Sequence, residues 1–190
     1  MGRKYGSIHI RLENPNESVD AVISGYVSAL DAGFPADVEK AAGQLGLNLS
    51  HQQVPFLNQT VRAGILSHTK QTVIKHHGFV SIYDESMTFE NIQMVAQRLS
   101  TILKCRVFFS SVYDDDVFFF GLCENGETVS MHLSGDCEAY GMTNDNYNIE
   151  ELEKYVSGEE KEPSRLQNLS GLDFEAALIE VLGFQLDIKP

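Results

Sequence analysis

The fold is decided by residues 105–133, which read CRVFFSSVYDDDVFFFGLCENGETVSMHL. Two apolar runs are separated by the turn sequence Tyr113-Asp114-Asp115-Asp116, since aspartate side chains favour turns by bonding to nearby backbone N–H groups. Asn125-Gly126 is the strongest short signal for a hairpin. The run 117–122 is apolar without alternation, which is typical of a central strand covered on both faces. We predict three consecutive strands in one sheet.

A strand and a helix precede this stretch. Residues 78–83 form a short apolar run, and apolar positions recur with helical spacing from Phe89 to Leu103. A strand joined to the next by a crossover helix in one sheet runs parallel to it. The sequence therefore predicts an α+β fold, with a mixed sheet built around a β-α-β-β-β unit at about residues 78–133.

The N-terminal part adds one strand and two helices. Residues 5–12 alternate as a strand, and apolar residues follow helical spacing from Ser18 to Leu30. We also predict a short helix over 36–45 and a short strand over 60–66. The N-terminal helices are available to cover one face of the sheet.

Two further helices are predicted after the sheet, over 149–156 and 170–182. Ser170 with Asp173 has the spacing of a capping box at the start of the last helix. Its apolar stripe needs a surface to cover, either this domain or a second copy of the chain. A homo-oligomer through the C-terminal helix therefore stays open, and we expect the C-terminal segment to help cover the sheet.

A chain of 190 residues is close to the size of one large domain. We expect a single domain over 1–190, with three subregions. These are a helical N-terminal part (1–69), a sheet core (70–140) and an acidic C-terminal helical part (141–190).

Acidic residues collect at one edge of the predicted sheet. If the strands before and after the crossover helix are parallel, their C-terminal ends share an edge, and the last strand of the unit returns to it. The residues that this topology delivers there are Asp84, Glu85, Asp114, Asp115, Asp116, His132, Ser134 and Asp136.

Three interpretations of this edge stay open. It could present a negative surface to a basic protein, or bind a divalent cation through carboxylate oxygens. It could also consist of ordinary solvated turns, in which aspartate is common. We assign no metal ligands and no catalytic residues from the sequence.

The charge of the chain limits its partners. Aspartate and glutamate number 27 against 14 lysines and arginines, which gives a formal net charge of -13. Such a chain repels a phosphate backbone, so nucleic acid is not expected as a partner. No apolar run approaches the length of a membrane span, so a membrane is not expected either.

Known catalytic and cofactor motifs are not found in the sequence. It has no phosphate-binding glycine loop and no nucleophile elbow, and no cofactor is expected. The three cysteines are an odd number without CxxC spacing, which favours reduced thiols. Together with a start that lacks the apolar stretch of a signal peptide, this predicts a cytoplasmic protein.

These features favour a non-enzymatic binding protein, for example an acidic inhibitor or immunity-type partner of a basic protein. The alternative is a metal-dependent hydrolase or a small-ligand-binding protein that uses the acidic sheet edge. Both hypotheses depend on the same carboxylates.

Overall fold

A single antiparallel sheet forms the centre of the computed structural model, which describes residues 2–12, 18–31, 42–43, 46, 48–50, 53–55, 71–76, 78–158 and 165–188. The described strands are β1 (Lys4–Arg11), β2 (Gln71–His76), β3 (Phe79–Asp84), β4 (Val107–Tyr113), β5 (Val117–Glu124), β6 (Glu127–Gly135) and β7 (Asp145–Tyr147). The described helices are α1 (Val19–Asp31), α2 (Ile92–Leu103), α3 (Ile149–Ser157) and α4 (Gly171–Leu182), with a 3-10 turn at Cys137–Tyr140.

The N-terminal strand lies inside the sheet, whose order is β2-β3-β1-β4-β5-β6-β7. The predicted α+β class is confirmed, with helices packed on the sheet. The pairing differs from the predicted mixed sheet, because every neighbouring pair of described strands is antiparallel. β3 and β4 do run in the same direction, but β1 lies between them and is antiparallel to both.

The position of β1 follows from its burial on both faces. Ile8 and Ile10 are buried in the core on one face, while Ser7 and His9 are fully buried on the other. A strand with this pattern is more stable inside the sheet than at its edge, because the side chains on both of its faces have to be buried. The alternation in the sequence predicted the strand but not its neighbours.

Helices cover both faces of the sheet, as predicted. One core cluster joins α1 and α2 to Ile8, Val80 and Phe109. The second joins α3, α4 and the chain after α4 to Phe108 and Phe120. The apolar stripe of α4 therefore packs on the sheet of its own chain.

Of two local sequence signals, the hairpin turn is confirmed and the capping box is not. Asn125 and Gly126 both have positive φ (51° and 87°), as a two-residue type I′ hairpin turn requires. The capping box at the start of α4 is wrong, because the Ser170 side chain makes no capping bond. The N–H of Gly171 is instead donated to Ser134 Oγ on β6, at 2.9 Å.

Two predictions fall largely where the structure is not described. Most of the helix predicted over 36–45 and all of the strand predicted over 60–66 lie outside the described residues. β2 and β7 were not predicted. None of the helices in the described ranges is both long and apolar enough to cross a membrane.

Substitution of Phe174 tests the packing of α4 on the sheet. Its ring is fully buried and stacks on His132 with a centroid distance of 3.5 Å. We expect Phe174→Ala to lower the free energy of unfolding by about 3 to 5 kcal/mol, measured by urea denaturation, because it leaves a cavity. Leu172→Ala on the same helix is the control, since Leu172 is 58% exposed. Equal, small effects of both substitutions would contradict this packing.

Candidate functional site at the carboxylate edge

The edge of the sheet where β3 and β4 end and β1 begins is called the carboxylate edge here. In the register of the sheet, Lys4 on β1 faces Tyr113 on β4, and Ser7 faces Tyr83 on β3. β6 also ends at this edge, where the N–H of Asp136 is donated to the carbonyl of Asp116 at 2.7 Å. The acidic turns after β3, β4 and β6 therefore lie at the same end of the sheet.

Two cationic side chains lie among these carboxylates. They belong to Lys4, the first residue of β1, and to Arg3, which precedes it. Arg3 donates to Asp115 through both its backbone N–H (3.0 Å) and its Nε (2.5 Å). These bonds and the guanidinium charge lower the pKa of Asp115. Lys4 Nζ lies 3.5 Å from Asp114 Oδ2, and the Gly2 N–H is donated to Asp114 Oδ1 at 3.0 Å. Asp114 and Asp115 are thus paired within the chain.

Arg3 also joins the carboxylate edge to α4. Its Nη1 and Nη2 donate to the two carboxylate oxygens of Glu175 at 3.1 and 2.9 Å, and Tyr5 Oη donates to the same carboxylate at 2.6 Å. Glu175 is only 4% exposed, so its charge needs these donors. Burial and the Glu175 charge raise the pKa of Tyr5 well above its ordinary value.

Asp84 is buried and has a structural role at this edge. Tyr26 Oη on α1 donates to its Oδ2 at 2.8 Å. The N–H and the Oγ of Ser86 donate to its Oδ1 at 2.8 and 2.6 Å. The carboxylate therefore holds α1 and the loop after β3 in place.

His132 lies inside the second face of the sheet. It is 1% exposed, its Nε2 is 2.7 Å from Ser134 Oγ, and its ring is covered by Phe174. Burial lowers its pKa to about 4. Ser134 is buried with it and accepts the Gly171 N–H. The structure thus separates these two residues from the exposed carboxylates.

The remaining predicted residues face solvent. Glu85, Asp116 and Asp136 are exposed, and Asp116 Oδ2 accepts a bond from Tyr140 Oη at 3.2 Å. Within the described ranges, no group of three histidine, cysteine, aspartate or glutamate side chains is arranged to hold a metal ion. The predicted set thus divides into carboxylates paired with β1 and its flank, buried groups, and three exposed acids.

A cavity of about 540 Å³ opens at the carboxylate edge, between the loop after β3 and the chain after α4. This is within the size range of about 300 to 1,000 Å³ that is usual for ligand sites. The rings of Tyr83, Phe89 and Tyr113 are among its walls. Its charged lining consists of four carboxylates and one ammonium, namely Asp84, Glu85, Glu90, Asp187 and Lys4.

Lys4 shows how this edge accommodates a cation. Its Nζ lies 4.0 Å from the centroid of the Tyr113 ring and also pairs with Asp114. The phenol and the carboxylate raise the pKa of Lys4, so it stays charged. An ammonium group between an aromatic face and a carboxylate is a favourable arrangement. Aromatic rings and carboxylates also line the rest of the cavity.

Two of the cavity's acids, Asp84 and Glu85, are among the residues predicted from the sequence, whereas Glu90 and Asp187 are not. Glu90 lies in the loop before α2, in a stretch that the sequence pattern had assigned to the helix itself. Asp187 follows the last helix in a segment without periodicity, and nothing local in the sequence places it near β1. The aromatic walls could have been found, because Tyr83 and Tyr113 are at the ends of their strands.

No known protein family, curated protein or solved structure matches the chain. The lining of the cavity, with four carboxylates and one ammonium, favours a ligand that carries a positive charge.

The buried His132 gives a testable pH dependence of stability. Its pKa is 6.5 when unperturbed and about 4 in the folded chain, so the unfolded state binds more protons between these values. The contribution of His132 to the free energy of unfolding is fully present above pH 6.5 and is lost as the pH falls towards 4. We expect His132→Gln to flatten the decline in unfolding free energy below pH 6.5, by up to about 1.4 kcal/mol per pH unit, in urea titrations. Parallel curves for the two proteins would contradict the buried neutral imidazole.

Proposed function

We propose that this chain is a non-catalytic binding protein that recognises a basic partner protein at the carboxylate edge. The cavity accepts one of the partner's cationic side chains. The observation that carries this proposal is the lining of the cavity, in which four carboxylates and aromatic rings stand against a single ammonium. Basic side chains fit such a lining through charge pairing and contact with aromatic faces.

The exposed acids extend the site beyond the cavity. Asp116 and Asp136 lie at the same edge and face solvent, as does Glu85 in the cavity wall. A partner that inserts one cationic side chain would meet these acids with its surrounding surface. Exposed charges of this kind raise association rates and exclude acidic partners, more than they add to affinity. The net charge of -13 also attracts basic partners towards the chain and so raises their association rate.

The resident cations do not cancel this preference. Lys4 is paired with Asp114, and Arg3 is paired with Asp115 and Glu175. The Lys4 charge also reaches Glu90, where it adds to the fall in pKa that a hydrogen bond from Thr88 causes. Among the described residues, no cation pairs with Glu85 or Asp187. The cavity therefore keeps an excess of negative charge, which a bound cation would offset.

The second candidate is a small-ligand-binding protein that uses the same cavity. The volume of about 540 Å³ supports it, and the lining points to an organic cation. The metal-dependent hydrolase stays a hypothesis from the sequence alone.

Site-specific photo-crosslinking in the native cell tests the partner proposal. A benzophenone amino acid at Thr88, which is exposed at the cavity, should capture a basic protein. The control position is Glu127, exposed at the opposite end of the strands. The purified complex should weaken steeply with added salt, because exposed charge pairs are screened.

Charge removal in the cavity should weaken that complex. The double variant Glu85→Gln with Glu90→Gln is expected to bind the captured protein about two- to tenfold more weakly, chiefly through slower association, because an exposed charge pair contributes roughly 0.2 to 1 kcal/mol. Failure to capture any basic protein at Thr88, or equal capture at Glu127, would contradict the proposal.

A further inference from the structure

The chain after α4 crosses the second face of the sheet as a strap of residues 184–188, called the C-terminal strap here. Phe184 anchors its beginning. The ring stacks on His76 of β2, with centroids 4.1 Å apart and an interplanar angle of 7°, and it also contacts His9 and Phe79. The residue is 9% exposed, so the strap starts from a buried aromatic contact.

Hydroxyl groups of the sheet then fix the backbone of the C-terminal strap. Tyr83 Oη donates to the carbonyl of Gln185 at 2.8 Å, and Ser7 Oγ donates to the carbonyl of Leu186 at 2.6 Å. Ser7 itself belongs to a buried cluster, with its Oγ 2.9 Å from His9 Nε2 and 2.7 Å from Ser110 Oγ. Because two successive carbonyls are held by the sheet, the position of the next residue is fixed.

That next residue, Asp187, contributes one wall of the cavity. Its side chain is half-buried and lies close enough to the phenols of Tyr5 and Tyr83 to add to the rise in their pKa that burial causes. No hydrogen-bond donor or cation pairs with it among the residues that the structure describes. A bound cation would therefore add a pairing that this half-buried carboxylate lacks within the described part of the chain.

The other acids near the cavity are less suited to this pairing. Asp84 already accepts three hydrogen bonds, and Asp114 and Asp115 are held by Lys4 and Arg3. Glu85 and Glu90 are exposed, so salt and water screen them. Asp187 is half-buried, and its carboxylate has no partner among the described residues.

We infer that the C-terminal strap completes the cavity and that Asp187 is the carboxylate that pairs with the cation of the ligand. This inference rests on the proposed function and names the chemistry that the site recognises. The cation is an alkylammonium or guanidinium group whose apolar stem contacts the aromatic walls of Tyr83, Phe89 and Tyr113. Such a group belongs to a lysine or arginine side chain, or to a free amine.

Calorimetric titration with small probes tests the pairing. The probes are N-acetyl-arginine amide and N-acetyl-lysine amide for a side chain, butylamine for a free amine, and N-acetyl-citrulline amide as the uncharged control. Each charged probe carries a single cation. The wild-type chain should bind the charged probes and not the citrulline probe. The tighter probe identifies the source, since side-chain recognition favours the amides and free-amine recognition favours butylamine. Either order supports the inference.

Two variants assign the binding to Asp187. Asp187→Asn should weaken binding of the charged probes by at least about tenfold, because a charge-assisted bond is lost. Asp173→Asn, the matched control, makes the same charge change at an exposed position of α4 outside the cavity lining and should change affinity by less than about twofold. Phe184→Ala should also weaken binding, because it frees the strap without altering a lining residue.

The role of Asp187 and the role of the cavity as a cation site can be contradicted separately. If the wild-type chain binds the charged probes and Asp187→Asn binds them as well as Asp173→Asn does, the role of Asp187 is overturned and the cavity remains the site. If no charged probe binds, the cavity is overturned as a cation site. A basic protein captured at Thr88 would then still support recognition at the exposed acids.

Discussion

The insertion of β1 between β3 and β4 is the constraint on which the rest of the structure depends. Because β1 is antiparallel to both neighbours, it begins at the edge where they end. Arg3 and Lys4 therefore reach the aspartates that follow β4, and Arg3 also reaches Glu175 on α4. One strand placement thus neutralises part of the edge, fixes the last helix and leaves the remaining acids around the cavity.

The same strand gives the second face of the sheet an unusually polar centre. Ser7, His9, Ser81 and Ser110 are fully buried there, and each makes a hydrogen bond to another member of the group. Burial lowers the pKa of His9 to about 3, so the network is neutral. A buried polar network is favourable only when its members are satisfied. Here it directs the Ser7 hydroxyl to the C-terminal strap and so links the core to the cavity wall.

Local signals in the sequence predicted five of the seven described strands and all four described α-helices, but not their arrangement. The apolar run 117–122 and Asn125-Gly126 depend on nearest neighbours, and both predictions are confirmed. The acidic edge followed from the direction of β3 and β4, which holds although β1 lies between them. The placement of β1 is a long-range choice that alternation cannot specify. Asp187 was missed because its surroundings come from β1 and β3. The predicted capping role of Ser170 was wrong because Ser134, a distant residue on β6, accepts the Gly171 N–H instead.

A cation bound inside the cavity at the carboxylate edge should pair with Asp187. A crystal structure of the chain grown with N-acetyl-arginine amide would show this contact. We expect a guanidinium nitrogen roughly 2.7 to 2.9 Å from an Asp187 carboxylate oxygen, with the stem against Tyr83 or Tyr113. A guanidinium bound instead to Asp116 or Asp136, outside the cavity, would show that Asp187 is not the pairing carboxylate.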